Sequence, residues 1–153
     1  MKTQPNITGL KGHLGFWMRL VSNHVSHAFS LKVAAHNVTV AEWVVLREMF
    51  ASDATSPSIL ADSIGLTRGA VSKLIERLRE KQLLTRTEDQ HDRRYQQVSL
   101  TSAGRNLVPK LAALADQNDA EFFSHLTAAE RKILMATLQK LAAANNLHDL
   151  PTE

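Results

Sequence analysis

The 153-residue sequence predicts a mainly α fold carrying one small β-hairpin, and three observations lead there. Apolar residues recur at helical spacing along most of the chain. The period changes to strand-like alternation only between Leu83 and Leu100, and a serine or threonine stands at the head of five helical runs.

Residues 56–100 organise the rest. Ser56-Pro57 supplies a cap and a preorganised first helical position, Ile59, Leu60, Ala61 and Ile64 make a short apolar face, and Gly65 is the expected left-handed stop. Thr67 then caps a second helix, whose buried stripe is Val71, Leu74, Ile75 and Leu78. Two helices joined by Gly65-Leu66-Thr67 make a helix-turn-helix with the second helix as reader. Its other face carries Arg68, Gly69, Ser72, Lys73, Glu76 and Arg77. That is what a helix in the major groove of double-stranded DNA needs: cations and hydroxyls reach base edges or phosphates, and glycine lets the backbone come close. Ser56 and Ser58, opening the first helix, and Thr67, opening the second, join this face as candidate DNA contacts.

Residues 83–88 and 95–100 read as two strands, with Val98 and Leu100 alternating inward and a tip at 89–94. Arg93 and Arg94 at that tip suit a minor groove, where negative potential is focused, and His91 is placed to meet phosphate. A carboxylate facing DNA repels phosphate unless it is paired, so Asp92 is expected to orient the hairpin by holding Arg94 or Arg86.

Charge supports this placement. The net charge is +3, yet residues 67–105 hold nine Lys or Arg against five Asp or Glu, leaving +4 there and −1 elsewhere. A local excess on the reader and hairpin is the footprint of a nucleic-acid binder. The length fits one domain with its own core. With no cysteine, disulfides, thiolate catalysis and thiol-based sensing are excluded. Residues 1–12 lack the apolar segment of a signal peptide and no stretch is apolar enough to span a bilayer, so a cytoplasmic protein with no membrane partner is expected. The common nucleotide-binding, hydrolase and metalloprotease motifs are missing, so neither catalysis nor a cofactor is expected.

Taken in order, residues 1–8 form an arm with Pro5. A long helix runs from Leu10 to about Ala35 on a wide stripe of Leu14, Trp17, Met18, Val21, Val25, Ala28 and Phe29. So broad a face on a first helix can be buried against another subunit as well as its own. Thr39 with Glu42 is a capping box for a helix through Trp43, Leu46 and Phe50, and Ala51 to Thr55 is a polar break. Thr101 caps a helix with Leu107, Val108, Leu111, Leu114, Phe122 and Phe123, in which Pro109 is expected to leave a kink. Thr127 with Glu130 is a second capping box, and Ile133, Leu134, Leu138 and Leu141 carry its helix to about Asn145. The tail from His148 is expected to fray.

The succession Leu60-Ala61, Thr67 to Leu78, Leu83-Leu84-Thr85-Arg86, Asp92-Arg93-Arg94 and Leu100-Thr101-Ser102-Ala103-Gly104 resembles the MarR family of winged helix-turn-helix transcriptional regulators, over roughly residues 10–145. The resemblance implies a single MarR-type subunit over 1–153. Within it lie a winged-helix DNA-binding lobe at 37–100 and a helical dimerisation lobe at 8–36 and 102–147. It further implies a homodimer acting, as a repressor, on a pseudo-palindromic operator, with DNA released by a small aromatic carboxylate or phenolic effector. In that fold the cleft between the lobes is lined by the first two helices and the helix after the wing, which nominates His13, Phe16, Trp17, Trp43, Arg47 and Phe50 as ligand-binding residues.

Two other readings compete. His24 and His27 form an i, i+3 pair, with His13 and His36 on or near the same helix, which allows a zinc sensor; no HExxH or Cys/His spacing supplies further ligands, so no metal is expected. A winged helix used only for protein contact would carry an apolar tip rather than Arg93-Arg94.

Overall fold

The computed structural model describes residues 6–88, 91–92 and 95–153. Six helices and one hairpin follow in the order α1 (Leu14–Ala34), α2 (Val40–Met49), α3 (Pro57–Ile64), α4 (Arg68–Glu80), β1 (Leu84–Glu88), β2 (Gln96–Leu100), α5 (Ser102–Phe122) and α6 (Ala128–Ala144). The mainly α class with a hairpin wing is what the sequence predicts.

Capping explains most of the helix starts. The hydroxyls of Thr39, Ser56, Thr67, Thr101 and Thr127 each accept from the backbone N–H three residues on, and Glu42 and Glu130 complete reciprocal boxes. Helix ends share a device as well. Asn37, Gly65, Gln82 and Asn146 adopt positive φ, and the following N–H reaches back five residues, as Leu83 to the Leu78 carbonyl and Leu147 to that of Ala142. Pro109 lies inside an unbroken α5.

Three expectations need correction. The first helix does not start at Leu10: a 3₁₀ turn over Leu10–Gly12 gives way to extended backbone at His13, and α1 begins at Leu14. Glycines at 9, 12 and 15 make a continuous helix costly there, and the Trp17 indole N–H donates to the Lys11 carbonyl at 2.9 Å. The polar break before α3 also contributes to the sheet, because Thr55 exchanges both backbone hydrogen bonds with Val98 at 3.0 and 2.8 Å. Val98 is fully buried, and its outward N–H and carbonyl require partners. The tail does not fray. Leu150 packs against the core and its N–H donates to the Ile64 carbonyl at 2.9 Å.

The hairpin pairs antiparallel, Leu84 opposite Leu100 and Arg86 opposite Val98, which turns Leu84, Val98 and Leu100 inward. They join Val71, Leu74, Ile75 and Leu78 of α4, Leu60, Ala61 and Ile64 of α3, Val45, Leu46 and Met49 of α2, and Val108 and Leu111 of α5 in one core. That core ends at Leu111. The first half of α1 has no buried residue, and α6 has none along its whole length.

Among the described residues one charged side chain is buried in this core. Glu42, 1% exposed, accepts from Lys81 Nζ at 2.7 Å and from the Thr39 N–H at 3.0 Å, while Lys81 Nζ also reaches the Asn37 carbonyl at 2.7 Å. The pair spans the start of α2 and the end of α4. Removing the cation leaves a carboxylate in the core, so Lys81→Met should lower stability by about 3 kcal/mol in urea unfolding. Adding Glu42→Gln should return part of that loss, and a change under about 1 kcal/mol for the single variant would deny the pair its structural role.

Candidate functional site

The helical period correctly separates the two faces of α4. Val71, Leu74, Ile75 and Leu78 face the core, which turns Arg68, Gly69, Ser72, Lys73, Glu76 and Arg77 to solvent. Among the described residues Arg68, Lys73 and Arg77 form no ion pair, whereas Arg79 on the same helix is held by Glu76 at 3.0 Å. Three cations are thus available to phosphate or base edges without breaking an internal bond. A side chain at Gly69 would meet open space. Nothing inside the fold demands glycine there.

Thr67 and Ser56 are committed differently. Their hydroxyls accept from the Ala70 and Ile59 N–H groups at 3.2 Å, so they fix where α4 and α3 begin, and they retain a hydroxyl proton to donate. Ser58 is half-buried on α3. In the wing, His91 is exposed, Asp92 half-buried, and Arg86 half-buried with its Nε lacking an acceptor among the described residues. Arg93 and Arg94 lie outside the described residues. Sequence reasoning passed over Arg105, whose guanidinium reaches back to the Ser52 carbonyl at 3.2 Å and to Asp53 at 3.3 Å, tying the start of α5 to the loop before α3.

The cleft candidates do not all meet. Trp43 packs edge-on to Phe29 with centroids 6.2 Å apart, and with Ser26, Val44 and Arg47 it lines a hollow of about 280 Å³ between α1 and α2. A neighbouring hollow of about 200 Å³ opens toward α5, where the buried Asn118 donates to the Val25 carbonyl at 3.1 Å and accepts from Lys32 at 3.2 Å. Lys32 is also paired with Glu121 at 3.0 Å, and hydrogen bonds from Gln117 and then Lys32 hold that carboxyl below the usual carboxylate range. Trp17 lines neither hollow. It packs on Phe16 and faces an apolar hollow of about 580 Å³ with Met18, Val21, Phe122, Phe123, Leu134 and Leu138. Phe50 caps the end of α2 and His13 the start of α1, and neither lines the Trp43 hollows.

His24 and His27 are exposed on α1, and among the described residues no group of three or more His, Cys, Asp or Glu is placed to hold a metal. Among those residues, no helix is long and apolar enough to cross a membrane.

Residues 36–94, from the connector before α2 to the wing, match the sequence model of the MarR family. The transcriptional regulator SarZ of Staphylococcus haemolyticus is 24% identical over 136 residues, covering 89% of this chain and 91% of its own. Bordetella bronchiseptica BpsR, solved in a study of how 6-hydroxynicotinic acid regulates its DNA binding, superposes with a TM-score of 0.76 at 27% identity over 90% of this chain and 98% of that one. MepR of S. aureus, solved in complex with DNA, gives 0.75 at 23% identity, covering 86% and 98%. The order of elements, the exposed face of α4 and the paired wing strands agree with these likenesses, and over residues 36–94 the chain is similar to the MarR family of winged-helix transcriptional regulators.

Proposed function

We propose that this chain is a cytoplasmic, homodimeric repressor that binds a pseudo-palindromic operator in double-stranded DNA and is released by a small aromatic or phenolic acid. The observation that carries the reading is the outer face of α4, where Arg68, Lys73 and Arg77 stand exposed and form no ion pair among the described residues around an open Gly69. The DNA complex of MepR and the ligand-regulated DNA binding of BpsR lend it support. In this reading residues 37–100 form the DNA-binding lobe, and 8–36 with 102–147 form the dimerisation lobe.

The two cationic elements divide the work. Arg68, at the first turn of α4, reads base edges with Ser72, while Arg94 at the wing supplies backbone and minor-groove affinity. Arg94→Ala should weaken specific and random DNA alike and flatten the log Kd against log salt slope by about 2 per dimer. Arg68→Ala should instead narrow the gap between operator and random duplex. Uniform losses in both variants would remove base readout from α4.

Dimerisation follows from surface that the chain leaves uncovered. Trp17, Met18 and Val21 of α1 and Leu134, Leu138 and Leu141 of α6 are all more than a third exposed, and several line one apolar hollow. A second copy is the partner that a symmetric operator requires. Light scattering at micromolar concentration should give twice the 17.0 kDa chain mass, and a monomer would overturn the dimer.

For the effector, the Trp43 hollow offers an aromatic wall and the Arg47 guanidinium, a match for an aromatic carboxylate. Salicylate should therefore alter indole emission in Trp17→Phe and leave it unchanged in Trp43→Phe. By linkage, operator DNA should weaken salicylate by the factor with which salicylate weakens DNA. An emission change that survives Trp43→Phe would move the ligand elsewhere.

A further inference from the structure

Helix α6 ends at Ala144, Asn146 adopts the left-handed region at φ 54°, and the chain then turns back to α3 and seats there. The Leu150 N–H donates to the Ile64 carbonyl at 2.9 Å. Ile64 is the last residue of α3, and its carbonyl is one of those a helix end leaves without an intrahelical donor. The donor comes from 86 residues away in sequence. Asp149 lies so close over Gly65 that a Cβ there would collide with its carboxylate, so glycine at this turn serves close approach as well as its φ of 82°. On its other side the tail walls the Trp43 hollow: Leu150, Pro151 and Glu153 face Trp43, Val44 and Arg47.

One short segment therefore touches both the cleft between the lobes and the turn that aims the reading helix. The tail also presents to Trp43 and Arg47 the chemistry of an aromatic acid, apolar bulk with a carboxylate beside it. We propose that Asp149–Glu153 is an intramolecular strap, which holds the α3–α4 turn in register while the cleft is empty and is lifted when a ligand fills the hollow beneath it. This rests on the cleft reading above for its trigger and on this chain's own contacts for its action. Lifting the tail removes the donor to Ile64 and the cover over Gly65, freeing the turn from which α4 projects.

The test compares the full chain with a chain ending at Leu147 and with full-length Leu150→Asp, by amide hydrogen exchange and by binding to a duplex selected from a random pool by the full chain. In both variants exchange at Gly65 and Leu66 should rise at least about tenfold while the β1–β2 amides stay protected, showing a folded lobe, and duplex affinity should fall at least about fivefold. Salicylate should deprotect the Leu150 amide in the full chain and should shift duplex affinity far less in the variants. Unchanged exchange at the α3–α4 turn would overturn the strap, as would raised exchange with unaltered duplex affinity. If the full chain gives no indole response to salicylate, the effector reading falls, and the strap is decided by turn exchange and duplex affinity alone.

Discussion

The buried Glu42 carboxylate is the constraint on which the placement of α4 depends. A carboxylate 1% exposed is tolerable only with its charge and lone pairs answered, and here Lys81 and the Thr39 N–H answer them. Because Lys81 is the C-cap of α4, the arrangement ties the end of the reading helix to the start of α2. The next residues complete the grip from the other side. The Thr101 hydroxyl donates to the Gln82 carbonyl at 2.7 Å and accepts from the Gly104 N–H at 3.0 Å, and any side chain at Gly104 would strike the Leu83 carbonyl. Helix α5 can thus press onto the α4–β1 junction only because that position is glycine. Held at its C-terminal end by two helices, α4 presents its N-terminal turn and outer face to solvent, as groove entry requires.

Features that depend on neighbours within four residues were legible in the sequence. The threonine and serine caps, the Gly65 stop and the α4 stripe all follow from local hydrogen-bonding chemistry and the helical period, and α4's stripe fixes its outer face by elimination. What could not be read is contact across long separations. Glu42 showed its capping role, but its pairing with Lys81 joins residues 39 apart. Thr55 reads as polar loop until Val98 needs a partner on its outer edge. The two tryptophans looked equivalent as aromatic residues on neighbouring helices. How α1 crosses α2 and α5 separates them, Trp43 against Phe29 and Trp17 toward α6.

Burial is divided unequally along the chain. Residues 33–111 build a closed core, while Leu14, Trp17, Met18, Ile133, Met135 and Leu138 remain substantially exposed. A 17-residue helix such as α6, with nothing buried, draws its order only from propensity and caps, and isolated helices near that length are marginal in water. Its capping box helps. The Thr127 backbone and hydroxyl hold the Glu130 carboxyl below its usual range, so this contribution is complete above the ordinary carboxylate pKa and is lost as pH falls through the lowered one. An exposed cap adds little beside the burial of a full apolar stripe, so the order of α6 should depend on what covers its face.

That dependence gives the cleft its leverage. The Trp43 hollows lie where the closed core meets the helices whose apolar faces remain open, with α1 as a wall of both. Packed cores resist continuous deformation, so in the proposed switch a ligand inserted there is accommodated more easily by shifting α1 and the returning tail than by distorting the core around Glu42. The motion is then delivered where the lobe is least braced. The C-terminal end of α4 is fixed by Lys81 and Gln82, whereas its N-terminal end follows the α3–α4 turn, where Ile64 and Leu66 pack on the core and the tail adds the Leu150 hydrogen bond. A reading helix anchored at one end and adjustable at the other pivots rather than slides. In the proposed switch, pivoting changes the angle of the outer face that carries Arg68 and Ser72 before it disturbs the core that holds Leu78.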